Sequence, residues 1–229
     1  MMQNFLKKLT SRKFLAALAG VATGLAMVFG VDETTISTVA GAVTTVASVV
    51  SYIMSEGMVD AAAVGAGQMT TAHTGNYRPG RNATIRYLVL HYTAGRNDSA
   101  QSNLRYFEQN IVKASAHYFV DDLGWMQSVD DGDTAWSVGT AGVYVQKHPE
   151  CRNENSISIE LCCRYAAGQY AFSKKTVRNA AHLTRMLMTK YDIPLGNVLR
   201  HYDVVSKHCP APWVDDESQW LAFRKMIVE

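Results

Sequence analysis

Residues 199–212, LRHYDVVSKHCPAP, impose the tightest constraint on how this chain can close. His201 and Cys209 are eight residues apart. An imidazole and a thiolate at that spacing reach one metal ion only if the backbone between them folds back as a loop, and Pro210 and Pro212 suit such an irregular path. A third donor must come from far away in the sequence. The best placed is His91, where the apolar run Leu88, Val89, Leu90 of IRYLVLHYTAG reads as a buried strand that ends on the histidine and breaks at Gly95. Two histidines and one cysteine leave the fourth position of a Zn2+ ion open, the mark of a catalytic rather than a structural site. A mixed nitrogen and sulfur set favours zinc over other metals.

The chain has 229 residues, enough for one medium domain and an additional segment. A formal charge of +2, with no basic face or stacking motif, argues against nucleic acid as a partner. Among the four cysteines, Cys162 and Cys163 are adjacent and point to opposite faces of a strand, so no disulfide framework is expected and a reducing compartment during synthesis fits.

The first sixty residues differ in kind. A basic head (Lys7, Lys8, Arg12, Lys13) precedes an uncharged run over residues 14–31. Asp32 and Glu33 follow, then a second uncharged run over residues 34–54. Each run is long enough to cross a bilayer, which takes roughly 17–25 residues. Gly20 with Gly24, and Gly41 with Thr45, offer small-residue steps for close helix packing. A cleaved signal peptide shares the basic head and first apolar stretch, but a second apolar run straight after an acidic turn is not expected of one. A soluble buried hairpin fits less well, because neither segment has a polar face. Residues 1–60 therefore read as a membrane hairpin. Residues 61–80 are small and polar and read as a flexible linker, in which His73 is an exposed histidine.

Residues 81–229 read as the globular domain. After the strand ending at His91, residues 97–109 carry Ala100, Leu104 and Phe107 at helical spacing behind Asn97 or Asp98 as cap. AHYFVDD and WMQSV, joined at Leu123 and Gly124, form a hairpin that opens at His117. That histidine is either hydrogen-bonded beside the site or in direct contact with substrate or ligands. Trp136, in the turn-rich stretch 130–142, is a candidate wall for a sugar or peptide, or is simply packed. SISIELCC alternates as a strand with Ile157, Ile159 and Leu161 on one face and Glu160 on the other. Residues 173–191 have the period of an amphipathic helix capped by Ser173, with His182 off its apolar stripe. VLRHYDV follows as a short strand, and a last helix runs from about residue 215 to 228 around Trp220, Leu221, Phe223 and Ile227. Strands alternating with helices around a hairpin predict an α/β fold: a mixed central β-sheet flanked by helices, preceded by the two-helix transmembrane hairpin.

An open zinc position beside a carboxylate suits metal-assisted hydrolysis. Glu160 is the candidate general base, and Lys207, two residues before Cys209, the candidate cation for a developing oxyanion. His208 beside Cys209 is a poor ligand, since sequence neighbours seldom both reach one ion.

His91 in LVLHYTAG, SAHYFVDDLG, NSISIELC and HYDVVSKHCP together resemble the zinc-dependent N-acetylmuramoyl-L-alanine amidases of the phage lysozyme and peptidoglycan-recognition superfamily, over residues 78–225. The resemblance implies cleavage of the amide between the lactyl group of N-acetylmuramic acid and L-alanine in peptidoglycan, with His91, His201 and Cys209 as ligands. Some members carry a catalytic tyrosine where this chain has Ala116, and many a histidine near the turn that here holds Ser137, so neither role carries over. Glu160 matches the members with a glutamate on the central strand. Residues 6–63 resemble the small two-helix phage holins, which implies membrane association and self-association there.

Two alternatives of other classes stand beside a holin-anchored amidase: a non-catalytic peptidoglycan binder, for which a thiolate at Cys209 has no use, and a holin whose hairpin is the main activity. With two crossings and a basic head, the domain faces the cytoplasm until lysis; a cleaved signal peptide would instead send it to the wall. Protease added to sealed spheroplasts should therefore leave the domain intact, and its digestion there would overturn this topology.

Overall fold

The computed structural model describes residues 71–229. The proposed hairpin at 14–31 and 34–54, and linker residues 61–70, lie outside the described residues. Among those described, no helix is long and apolar enough to cross a membrane.

The elements in chain order are β1 (Tyr77–Arg78), β2 (Tyr87–Tyr92), α1 (Ala100–Gln109), β3 (Tyr118–Asp121), β4 (Gly124–Gln127), β5 (Thr134–Ala135), β6 (Ser156–Leu161), β7 (Arg164–Ala166), β8 (Gln169–Ala171), α2 (Lys174–Tyr191), β9 (Val198–Arg200), α3 (His201–Val204), α4 (Ala211–Asp215) and α5 (Glu217–Met226). The main sheet has five strands in the order β4-β3-β6-β2-β9. Only the β3–β4 hairpin is antiparallel; β3, β6, β2 and β9 run parallel. This is the mixed sheet expected, and its central strands are buried on both faces, which is why β2 reads as a continuous apolar run.

The two faces have different duties. Leu88, Leu90, Val120, Ile157, Ile159 and Leu161 point into the main core, closed by Ala180, Leu183 and Leu187 of α2 and by Trp213, Trp220 and Phe223. The opposite parity puts Val89 in a smaller cluster and Phe119 under Leu104 of α1. On that second face His91 stands in register with Glu160. Side-chain alternation in a strand thus separates the packing residues from the polar ones.

Local differences from the sequence reading have identifiable causes. The cap of α1 is Ser99, in a reciprocal box with Ser102, not Asn97 or Asp98. The Asp98 carboxylate is drawn away to the Cys163 amide (3.2 Å) and Asn103 (2.7 Å). The strand read as VLRHYDV stops at Arg200, because Asp203 accepts from the Arg200 amide at 2.9 Å and starts a helical turn. The last helix runs over Glu217–Met226 behind Asp216 as cap, close to the expected span; a separate short helix, Ala211–Asp215, precedes it, and Leu221 is exposed. The β7–β8 hairpin was not read at all; Ala167 (φ 50°) and Gly168 (φ 80°) make its two-residue turn.

Residues 71–80, read as the end of a linker, are instead packed on the domain. Ala72 is buried and its amide donates to the Ser128 carbonyl at 2.8 Å. Asn76 is fully buried: its amide group donates to the Phe107 and Asn110 carbonyls and accepts from the Val112 and Lys113 amides. A small polar composition resembles a linker, yet here a polar side chain satisfies the backbone of the loop after α1. His73 is exposed as expected and accepts from the Gly75 amide.

The carboxylate of Asp131 ties α2 to the sheet. It accepts from Tyr118 (2.8 Å), Tyr191 (2.6 Å) and Lys190 (2.9 Å). Burial alone would raise its pKa, but hydrogen bonds from Tyr191, Lys190 and Tyr118 outweigh that and hold it below the usual value. A depressed folded pKa adds stability above the unfolded value of about 3.9 and loses it as pH falls through the folded one. Asp131→Asn should therefore cost about 1–3 kcal/mol at neutral pH. In urea titrations that gap should close below about pH 4, and a gap unchanged down to pH 2 would contradict the linkage.

Candidate active site

Three buried side chains converge at the C-terminal ends of β2 and β9. His91 sits near the end of β2, His201 opens the turn that follows β9, and Cys209 closes the loop after it. Each is 2 % exposed. One donor atom from each lies within 4.8 Å of the others. The His91 and His201 rings are 4.6 Å apart, and Cys209 Sγ is 3.8 Å from His91 Nδ1. The loop folds back as the proline-containing spacing requires, fixed by the Tyr202 amide donating to the Cys209 carbonyl at 2.8 Å.

The cluster's electrostatics favour neutral, unprotonated imidazoles. Burial holds His91 well below its ordinary pKa, helped by His201, Lys207 and His117. Burial, then Lys207, pushes His201 down to about 3. Burial also pushes the Cys209 thiol up, with Glu160 adding to it. His91 Nε2 and both ring nitrogens of His201 are buried without a hydrogen-bond partner. Such orphaned groups cost about 1–3 kcal/mol each unless something binds them. A buried thiol joined to imidazoles with free nitrogens is the donor set that suits Zn2+. The residues present therefore fit a metal ion.

Beside the cluster lies a cleft of about 640 Å3 lined by Cys209, Glu160 and Lys207. Glu160 is only partly covered as a residue, but its Oε2 is shielded and has no hydrogen-bond partner. Burial raises its pKa to about 7, against the pull of Lys207. A buried carboxyl with a raised pKa beside a cleft marks a candidate general base. Tyr106, Phe107 and Tyr144 complete the walls.

All five candidate ligand and catalytic residues thus meet at one place, but the two subsidiary candidates do not join them. His117 is fully buried with both nitrogens committed elsewhere. Its Nδ1 accepts from the Ser158 amide at 3.0 Å, and Nε2 faces Arg81 and the Asp133 carbonyl. Neither nitrogen is left for the ligand histidines. Trp136 pairs through its backbone with Ser115 and does not line the cleft. His208 lines the mouth of the same cleft and pairs with Asp215 at 2.9 Å, and it is not one of the three converging donors. Ser137 bonds Ser158, and Ala116 is buried among Leu104 and Phe119. Sequence reasoning does not reach the aromatic walls Tyr106 and Tyr144; the one local signal is an aromatic at Tyr106, off the buried Ala100 and Leu104 stripe of α1.

Comparison with known proteins agrees with this geometry. The family described as N-acetylmuramoyl-L-alanine amidase matches residues 81–212. The amidase CwlL of Bacillus licheniformis is 35% identical over 157 residues, covering 66% of this chain and 43% of that protein. BlyA of Bacillus subtilis (strain 168), also an N-acetylmuramoyl-L-alanine amidase, is 30% identical over 161 residues, with the same coverage of 66% and 43%. The chain thus spans less than half the length of these curated relatives. Among solved structures, PlyL aligns with a TM-score of 0.58 at 26% identity, over 70% of this chain and 96% of PlyL. A mutant endolysin from Bacillus subtilis aligns with a TM-score of 0.56 at 28% identity, over 69% and 96%. The matched segment contains every residue of the cleft and its buried cluster that sequence and geometry single out, and by that match this chain belongs to the N-acetylmuramoyl-L-alanine amidase family.

Proposed function

We propose that this protein is an endolysin-type peptidoglycan hydrolase that cleaves the amide between N-acetylmuramic acid and L-alanine, using Zn2+ held by His91, His201 and Cys209. The observation that carries the reading is the set of three buried donors within 4.8 Å, beside a glutamate whose shielded oxygen has no partner. Zinc bound there supplies a water with pKa near 7 and a Lewis acid for the carbonyl. Glu160 would act as the general base toward an attacking water and would return the proton to the leaving nitrogen as the C–N bond breaks. Lys207 sets its ammonium against the negative charge that develops on the carbonyl oxygen. The half-buried aromatic walls suit a sugar and short peptide more than a protein surface.

Residues 1–60 enter the proposal as a holin-like membrane hairpin capable of self-association, on the strength of the two uncharged runs. It holds the enzyme at the cytoplasmic membrane until lysis. The unpartnered nitrogens and the thiol favour an enzyme over a wall-binding module on the same fold.

The deciding test is digestion of purified peptidoglycan by the full chain. New L-alanine amino groups without new reducing sugars, abolished by a chelator and restored by Zn2+, are expected; binding without new ends would reject the enzyme. Glu160→Gln should lower turnover about 10²–10⁴-fold while bound zinc stays stoichiometric. Turnover within about twofold of the parent would remove Glu160 from the mechanism.

A further inference from the structure

The turn α3 is only four residues long, too short to hold itself, since a single helical turn is unfavourable in isolation. Yet it carries His201, and through the Tyr202–Cys209 backbone bond it also holds the carbonyl of Cys209. Two of the three proposed ligands therefore take their direction from this one turn.

What braces it is Arg200, only 6 % exposed and immediately before His201. Its Nε donates to Asp203 Oδ2 at 3.1 Å and its Nη2 to Asp203 Oδ1 at 2.9 Å, a two-pronged fork on the carboxylate. The same carboxylate caps the turn by accepting from the Arg200 amide. Nη1 donates outward to the Trp213 carbonyl at 2.8 Å and to Glu217. One guanidinium thus links the end of β9, the ligand-bearing turn, α4 and α5. It lines no part of the cleft and is not among the donor groups of the cluster.

We propose that Arg200, through its fork on Asp203, is a positioning residue for the metal centre, setting the direction of the His201 imidazole and the seat of Cys209. The proposal rests on the metal-centre reading above. The planar fork matters more than the charge: a lysine keeps the cation but reaches the carboxylate at one point only. Contacts that orient a metal ligand are worth about 10–100-fold in affinity when removed. Glu217 is exposed, and the fork on Asp203 does not depend on it.

The test uses the full chain as Arg200→Lys, Asp203→Asn, the double variant and Glu217→Gln. Three quantities are read: Zn2+ affinity by competition with a chromophoric chelator, the visible spectrum of the Co2+ form, and thermal unfolding of the metal-free protein. Arg200→Lys and Asp203→Asn should each weaken Zn2+ binding about 10–100-fold and shift the Co2+ bands. The double variant should be no weaker than the weaker single one, because both break the same fork. Glu217→Gln should bind as the parent does. If Arg200→Lys does not fold, the Asp203→Asn affinity and spectrum decide. Unchanged affinity and spectrum with a lowered unfolding temperature would make Arg200 a strut only and overturn the proposal. His201→Ala separates the two failures: if it binds Zn2+ as tightly as the parent, the metal-centre reading itself falls, and the role of Arg200 with it.

Discussion

Three polar side chains buried against one another, with most of their ring nitrogens left without a hydrogen-bond partner, are the feature on which the rest of the structure depends. His91, His201 and Cys209 are each almost wholly removed from water, and three ring nitrogens among them bond to nothing in the protein. Leaving such groups unmatched costs several kcal/mol in sum, at about 1–3 kcal/mol each. A fold tolerates that only where the surrounding framework is rigid and well packed, or where a ligand recovers the loss. Here the framework is rigid: His91 hangs from β2 inside the sheet, and His201 and Cys209 sit on the turn and loop that follow the edge strand β9.

The parallel pairing of β2 with β6 and β9 supplies the rigidity. Leu88, Leu90, Ile157 and Ile159 are fully buried on one side, and a one-residue slip would send them to the other. The same register that protects the core sets His91 beside Glu160. The pairing of His91 with Glu160 and the packing of the core are therefore two consequences of one strand alignment. The proton affinity of Glu160 follows from this as well: on a central strand its carboxyl loses water on most sides, and Lys207 offsets only part of that loss.

The site residues legible in the sequence were those whose chemistry is carried by type and spacing. A strand-end histidine, a glutamate of strand parity opposite to Ile157 and Ile159, and a histidine and cysteine joined by a loop with a lysine could all be read from local pattern. Trp136 and His117 looked equally suitable by type, but other parts of the chain claimed them. The Ser158 amide and Arg81 take the His117 nitrogens. Trp136 bonds Ser115 through its backbone and is not among the residues that line the cleft. Asp98 had the look of a helix cap, and lost that role to Ser99 because the Cys163 amide, 65 residues on, needed an acceptor. Each of these was decided by a partner distant in sequence.

By itself, the sequence determined the elements and the donors: apolar period distinguishes strands from helices, and residue type decides which atoms can bind a metal or carry a proton. It also carried the contrast between the two uncharged runs, residues 14–31 and 34–54, and the domain after them. Only the tertiary structure decided which polar residues converge, that Asn76 is buried against α1 and the loop after it, and that Arg200 forks on Asp203 beside His201. The physical reason is that hydrogen-bond capacity is limited and long-range: a buried polar atom goes to whichever partner the closed chain brings within about 3 Å, and no local pattern records which one that will be.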